Sequence, residues 1–232
     1  MTVDSAYKIV QYVINKSQDG YLPEDEFNLI IQQAQNSFLD YLLGQFQQYA
    51  PGRPVPRVGL GNNRTVRQRL SPVIYGYTLN VDSQGQAPYP GDYIQTDAMW
   101  SIYGGGRTKI RYAEQNKLDS FYNSTIDPIL SNPIYLIEDT GFKFYPNLND
   151  DGVAMIPSQA RLSYVRKPPV IHWGSVPNIY GVPVYNAATS TDPVWSDVDM
   201  LEVISRALKM VGVNLQAGQI EQYAQDVTRG GQ

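Results

Sequence analysis

The chain has 232 residues, 18 Lys and Arg against 22 Asp and Glu (formal net charge −4), one His and no Cys. A thiol nucleophile, a thiolate metal site and a two-histidine metal site are excluded by count, and so even a charge balance offers no global field for nucleic acid or an anionic membrane. Eighteen Tyr in a chain only 17% charged point instead to broad contact with other proteins, because Tyr supplies large amphipathic area and is enriched in interface cores. The length suits one large domain or two small ones. Met1 to Lys16 lacks the marks of a secretory signal, and no stretch approaches the ~20 apolar residues of a membrane span. A soluble protein made in a reducing cytosol is expected.

In chain order, the first element is a helix. Ile9, Val10, Val13 and Ile14 recur at helical spacing, and Asp19-Gly20 ends the run. A second helix is predicted from Pro23, with Glu24, Asp25 and Glu26 in its first turn, where Pro is tolerated and acids meet the positive end of the helix dipole. Its core-facing stripe reads Phe27, Ile30, Ile31, Ala34, Phe38, Tyr41 and Leu42. Ala50 to Arg57 holds three prolines and must run extended. Arg53, Arg57, Arg64, Arg67 and Arg69 follow one another with no acid between them, the one strong local charge bias in the chain.

From Ser71 to about Tyr185 the signals are β. Residues 73–79, 98–103 and 109–112 read as strands, the last two joined by a tight Gly104-Gly105-Gly106 hairpin. Ala113 to Asn123 reads as a short helix. Residues 134–137 and 142–145 flank Glu138-Asp139-Thr140-Gly141, a hairpin signature, and 161–165 is the last clear strand. Val170 to Pro193 is Pro-rich and loop-like, and that length favours an arm or binding segment over a plain connector. Ser196 with Asp199 resembles a capping box for a helix whose stripe is Leu201, Ile204, Leu208 and Val211, stopped by Gly212. Gln216 to Val227 reads as a final short helix. The fold class predicted is α+β, with N- and C-terminal helices forming a small bundle around a central, mostly antiparallel β domain with extended loops. Its parts are a helical hairpin (1–50), an extended Arg/Pro-rich arm (51–70), the β domain (71–169), a Pro-rich loop or arm (170–195) and C-terminal helices packing on the N-terminal ones (196–232).

Chemistry-bearing motifs are few. Asn15 to Glu26 overlays on a calcium-binding loop, with oxygens at positions one, three and five, Gly20 at six and Glu26 at twelve. Only Asp19 and Glu26 are anionic ligand candidates and Pro23 fills position nine, so a tight helix–helix turn with Gly20 left-handed is the preferred reading and no metal is expected. Gly104-Gly105-Gly106-Arg107 lacks the ending of a phosphate-binding loop. His172 has no nucleophile elbow to serve and reads as packed or hydrogen-bonded. Asp150-Asp151 reads as solvated turn. The five arginines are read as a surface for nucleic-acid phosphate or for the acidic face of a neighbouring subunit, with a solvated loop as the plain alternative.

Several stretches in this order resemble one family: "NKSQDGYLPEDEF" at 15–27 leading into "QQAQNSFLDYLLG", then "PGRPVPR" at 51–57, "SNPIYLIEDTGFKFYP" at 131–146, "ARLSYVRKPP" at 160–169 and "LEVISRALKMVGVNL" from Leu201. The chain resembles the head–tail connector or tail adaptor (ring) proteins of crAss-like bacteriophages and their relatives. The resemblance implies a non-enzymatic virion subunit without catalytic residues or cofactors. It implies a homo-oligomeric ring of about twelve copies in the neck, between the portal protein and the next tail or neck ring protein. Such a protein is made in the bacterial host cytoplasm, makes no membrane contact, and touches DNA in the channel only non-specifically. The rival class is a binding module, either a calcium-responsive helical hairpin or a carbohydrate-binding β domain.

Overall fold

A computed structural model of the chain describes residues 1–17, 20–46, 59–103, 106–118, 128–129, 131–146 and 159–212. The α+β class holds, and the chain divides into two compact units, Met1–Pro72 with Pro168–Gln232, and Val73–Lys167.

The first unit is built on four helices: α1 (Val3–Ser17), α2 (Glu24–Phe46), α3 (Gly59–Leu70) and α4 (Asp197–Met210). The Thr2 hydroxyl accepts from Ser5 N–H at 3.2 Å and the Asp192 carboxylate from Val3 N–H at 2.8 Å, so the start of α1 is capped. Gly20, at φ +101°, makes the left-handed turn expected of it. The carbonyl of buried Leu22 then accepts from the Tyr7 hydroxyl at 3.3 Å and from the Gln11 amide. On α1 the buried stripe is Val3, Ala6, Tyr7, Val10 and Ile14; on α2 it is Phe27, Ile31, Ala34, Phe38, Leu39 and Leu42, with Tyr41 turned out. The α4 stripe is shifted from the one predicted: Met200, Val203, Ile204, Ala207 and Leu208 face inward and Leu201 is exposed. Ser196 caps α4, its hydroxyl accepting from Asp199 N–H, and Gly212 follows the helix at φ +76°. The predicted helix at 216–227 lies outside the described residues.

One expectation is corrected. The arm at 51–70 is not extended throughout, because Gly59–Leu70 is helical. The prolines stop at Pro56, Arg and Gln are good helix formers, and Pro72 closes the helix from the other side. The segment at 170–195, expected as a Pro-rich loop or arm, is tied at its start to α2. Residues Asn28, Gln32 and Gln35 sit four and three apart on α2, along one face. Asn28 accepts from Trp173 N–H at 2.7 Å and donates to Trp173 C=O at 3.1 Å. Gln32 accepts from Ile171 N–H at 3.2 Å, and Gln35 donates to Pro169 C=O at 3.0 Å. This row of side-chain amides does for the segment what a neighbouring strand would do. It seats Ile171, Trp173 and Trp195 in the helical core, Trp173 stacked on Tyr7 (4.4 Å) and Trp195 edge-on to Phe38 (5.1 Å).

The second unit is a pair of four-stranded sheets. One has the order β1 (Ile74–Asn80), β8 (Gln159–Arg166), β3 (Tyr93–Tyr103), β4 (Gly106–Lys109); the other β2 (Gln86–Pro88), β7 (Gly141–Tyr145), β6 (Ile134–Ile137), β5 (Arg111–Tyr112). All described pairings are antiparallel except β5 with β6. The predicted strand at 109–112 is two strands on different sheets. Buried Ile110 is the crossing point: its N–H donates to Met99 C=O at 3.0 Å, and the next, Arg111 N–H, donates to Pro133 C=O at 3.1 Å. Leu79, Met99, Leu162 and Tyr164 from the first sheet meet Ala87, Tyr135, Phe142 and Phe144 from the second in one core. Gly141 is required at the β6–β7 turn, since a Cβ there would collide with the Ala87 backbone carbonyl of β2. Buried Tyr164 gives its hydroxyl proton to Asp92 at 2.7 Å, and burial together with that carboxylate holds the hydroxyl protonated well above the ordinary tyrosine range.

Candidate interaction surfaces

The arginine segment does not act as one surface. Arg53 and Arg57 lie outside the described residues. Arg64 and Arg67, three apart on α3, are both exposed. Arg69 falls on the other side of the helix with buried Val66 and Leu70. It donates to Asp199 at 2.6 Å and to Glu202 at 2.7 Å, both on α4, and lies over the Phe38 ring at 5.2 Å. Arg206 completes the group, donating to Glu202 at 3.0 Å and lying over Tyr41 at 4.7 Å. Burial alone would pull the Arg69 guanidinium down; the hydrogen bonds with Glu202 and Asp199 outweigh it and hold it above its ordinary value. Burial alone would likewise raise Glu202, but the two arginines hold its carboxyl below the usual range. The acids that compensate Arg69 are therefore supplied by this chain, 130 and 133 residues away. That removes Arg69 from the candidate partner or DNA-channel interface and leaves Arg64 and Arg67 on it.

In the calcium-like loop α1 runs on through Asn15 and Ser17, the first two ligand positions, and Asp19 lies outside the described residues. Among the described residues no group of three or more His, Asp and Glu converges as a metal site. His172 is exposed, not packed; its backbone pairs with Thr191, N–H to C=O at 3.2 Å and back at 2.8 Å. Tyr103 pairs with Gly106 across the β3–β4 hairpin, and Arg107 lies over the Trp100 ring at 4.8 Å. Asp150-Asp151 lies outside the described residues. No described helix is long and apolar enough to cross a membrane.

Two apolar surfaces were not predicted. The first is a hairpin inside the Pro-rich segment, β9 (Ser175–Pro177) with β10 (Pro183–Tyr185). Its base is fixed: Gly174 N–H donates to the Ser190 hydroxyl at 2.9 Å, and Gly174 fits so closely against Thr189 that no side chain could replace its hydrogen. Its tip is tied by the Asn178 carboxamide, which accepts from Tyr180 N–H at 2.9 Å and Val182 N–H at 3.0 Å. This rigid turn holds Ile179 91% and Tyr180 82% exposed, with Val176, Val182 and Val184 exposed below them. The second surface is on β1. Tyr75, Tyr77 and Leu79 pair with the core residues Tyr164, Leu162 and Ala160, so they share the core face of the sheet. Leu79 is 1% exposed, but Tyr77 is 46% and Tyr75 50% exposed, because the second sheet does not reach that far. Arg166 lies over the Tyr75 ring at 5.5 Å. The hairpin was hidden by its prolines and three-residue strands; the shelf depends on where a second sheet ends, which no local pattern encodes.

No protein-family model matches the chain, and no curated protein sequence matches it.

Proposed function

We propose that this chain is a bacteriophage virion structural protein, a non-enzymatic subunit of a ring in the head–tail connector that joins portal to tail and lets DNA pass. The observation that carries the reading is the β9–β10 hairpin. It sets five large apolar side chains on a rigid, charge-free projection, a costly arrangement in water that is relieved when another protein covers it. The Tyr-rich, charge-poor composition and the resemblance to ring proteins agree with it. In this reading copies of the chain contact one another and the portal, and exposed Arg64 and Arg67 meet an acidic protein face or DNA phosphate. The test is cryo-electron microscopy of the particle: a rotationally symmetric collar of this chain between portal and tail supports the proposal, and single, unassociated copies in the particle overturn it. A second reading, a carbohydrate-binding β domain, is favoured by the exposed Tyr75–Tyr77 pair, since sugars stack on such rings. Calorimetric titration with a glycan panel, giving saturable heat that Tyr77→Ser abolishes, would replace the first reading with this one.

A further inference from the structure

We infer that the outer face of the β1-β8-β3-β4 sheet binds single-stranded nucleic acid, with phosphates on Arg161 and Lys109 and a base on the Arg107–Trp100 stack between them. This goes beyond the ring and does not depend on it.

The strand register places these residues. Thr78 on β1 stands opposite Arg161 on β8, Arg161 opposite Trp100 on β3, and Trp100 opposite Lys109 on β4. Directly opposed residues share a face, so the four form one row across the whole sheet. Their chain neighbours Leu79, Met99, Ala160, Leu162 and Ile110 belong to the core between the sheets. Successive side chains of a strand alternate, so the row lies on the face turned away from that core. Arg107, two residues before Lys109 on β4, shares the outer face and lies over the Trp100 ring at 4.8 Å. Arg107, Lys109 and Arg161 are all exposed.

The face is cationic in a chain where acids outnumber bases. The four strands hold Arg107, Lys109, Arg161 and Arg166 against one acid, Asp97. Arg166 lies over Tyr75 on the core face, and Asp97 accepts from the Ser163 hydroxyl at 2.9 Å. Among the described residues no acid pairs with Arg107, Lys109 or Arg161. Arg69 and Arg206 are the opposite case, with their charge taken up by Asp199 and Glu202. Three cations gathered on one face without partners attract a polyanion.

The aromatic centre of the row selects which polyanion. Exposed Arg107 can carry a base on the side away from the indole, since bases stack on guanidinium planes as they do on aromatic rings. Arg161 and Lys109 flank Trp100 from the two adjacent strands, so their backbones stand about 10 Å apart. A nucleic-acid strand laid along the row sets phosphates on both cations while a base meets the stack between them. An acidic protein surface would answer the cations and leave the stack unused. A duplex answers the phosphate positions but keeps the faces of its bases inside its own stack.

The test uses the full chain, titrated at low salt into fluorescein-labelled oligothymidylate and read by anisotropy. Its comparators are the duplex with oligoadenylate and polyglutamate of equal charge. Trp173 is 4% and Trp195 3% exposed, so quenching of tryptophan fluorescence by unlabelled oligothymidylate reports stacking at Trp100. The expected result is saturable, quenching binding at least tenfold tighter than to either comparator. Lys109→Ala with Arg161→Ala should weaken it at least tenfold with Tm unchanged. The same pair should flatten the slope of log K against log salt by about 1.4, the yield of two single-strand phosphate contacts. No saturable binding overturns the inference, and so does an unchanged affinity in the double variant, which puts the site elsewhere. Polyglutamate bound as tightly makes the face a seat for acidic protein, and overturns it. Duplex bound as tightly, or binding without quenching, removes the stacked base and overturns it too. A symmetric collar in particles with no oligothymidylate binding leaves the ring standing and removes this site; binding without a collar does the reverse.

Discussion

The two units bury their aromatic rings by different devices. In the β unit the rings belong to the strands: Phe142, Phe144, Tyr135 and Tyr164 are placed by cross-strand pairing, and the alternation of each strand points them inward. In the helical unit Trp173 and Trp195 come from a segment with little regular structure; three side-chain amides of α2 hold the backbone from Pro169 to Trp173, and Gln35 accepts from the Trp195 indole N–H. A ladder of backbone bonds is made by any sequence that pairs; a ladder of side-chain amides exists only while Asn28, Gln32 and Gln35 are in place. The helical core therefore depends on polar residues as closely as on apolar ones.

The largest expected effects come from removing one ring from each core. Trp195→Ala and Phe142→Ala should each destabilise by about 3–5 kcal/mol. In urea unfolding followed by circular dichroism, each should shift the transition of its own unit. The sharper test of the amide ladder is Gln35→Leu. Gln35 is fully buried and joins Pro169 C=O to the Trp195 indole N–H, the latter at 3.0 Å. Leu keeps the volume but leaves the buried Trp195 indole N–H unpaired and takes the donor from the half-buried Pro169 carbonyl, at about 2–3 kcal/mol. A loss under about 0.5 kcal/mol in the same assay would show that packing alone holds the segment.

The helical unit also carries a charge network as its polar seal. Arg69→Met should destabilise by about 2 kcal/mol, less than a fully buried pair because Arg69 and Glu202 keep some solvent, though Asp199 is nearly enclosed. The sign with pH follows from Glu202. Its folded carboxyl titrates below the ordinary value, so its stabilisation is complete above the unfolded value, near about 4.3, and is lost as pH falls through the folded one. The native chain should lose stability as pH drops below about 4, and Arg69→Met should lose less over the same interval, as read by Tm against pH.

This comparison also explains what the sequence disclosed. Helices α1, α2 and α4, the β6–β7 hairpin and the cap at Ser196 rest on local periodicity and turn chemistry, and they were legible. Where the prediction slipped, a distant residue decided the outcome. Leu201 was placed in the α4 stripe, but Met200 and Val203 face the core once α4 packs on α2. The α3 helix is rich in Gly, Asn and Arg, and Asp199 and Glu202 on α4 help to hold it in place. The split of residues 109–112 between two sheets is set by Met99 and Pro133. Of the candidate site, five arginines read as one basic segment divide, among the described residues, into Arg69, paired with acids of α4, and exposed Arg64 and Arg67.

That division gives the smallest expected effect on stability and the most informative one on function. Arg64→Glu with Arg67→Glu alters two exposed positions on α3, where substitutions usually change stability by no more than about 0.5 kcal/mol, against about 2 kcal/mol for Arg69→Met on the same helix. Urea unfolding of the two variants side by side should reproduce the gap. If the double reversal destabilises as much as Arg69→Met, then Arg64 and Arg67 are also part of the fold and the surface assignment fails. If stability holds, the consequence moves to assembly, where reversing two cations against an acidic partner or DNA introduces repulsion at both ends of the contact. Weakened ring docking with normal DNA retention places them against protein. Normal docking with lost retention places them against the DNA channel. Normal particles in both respects would make this face of α3 a solvated surface.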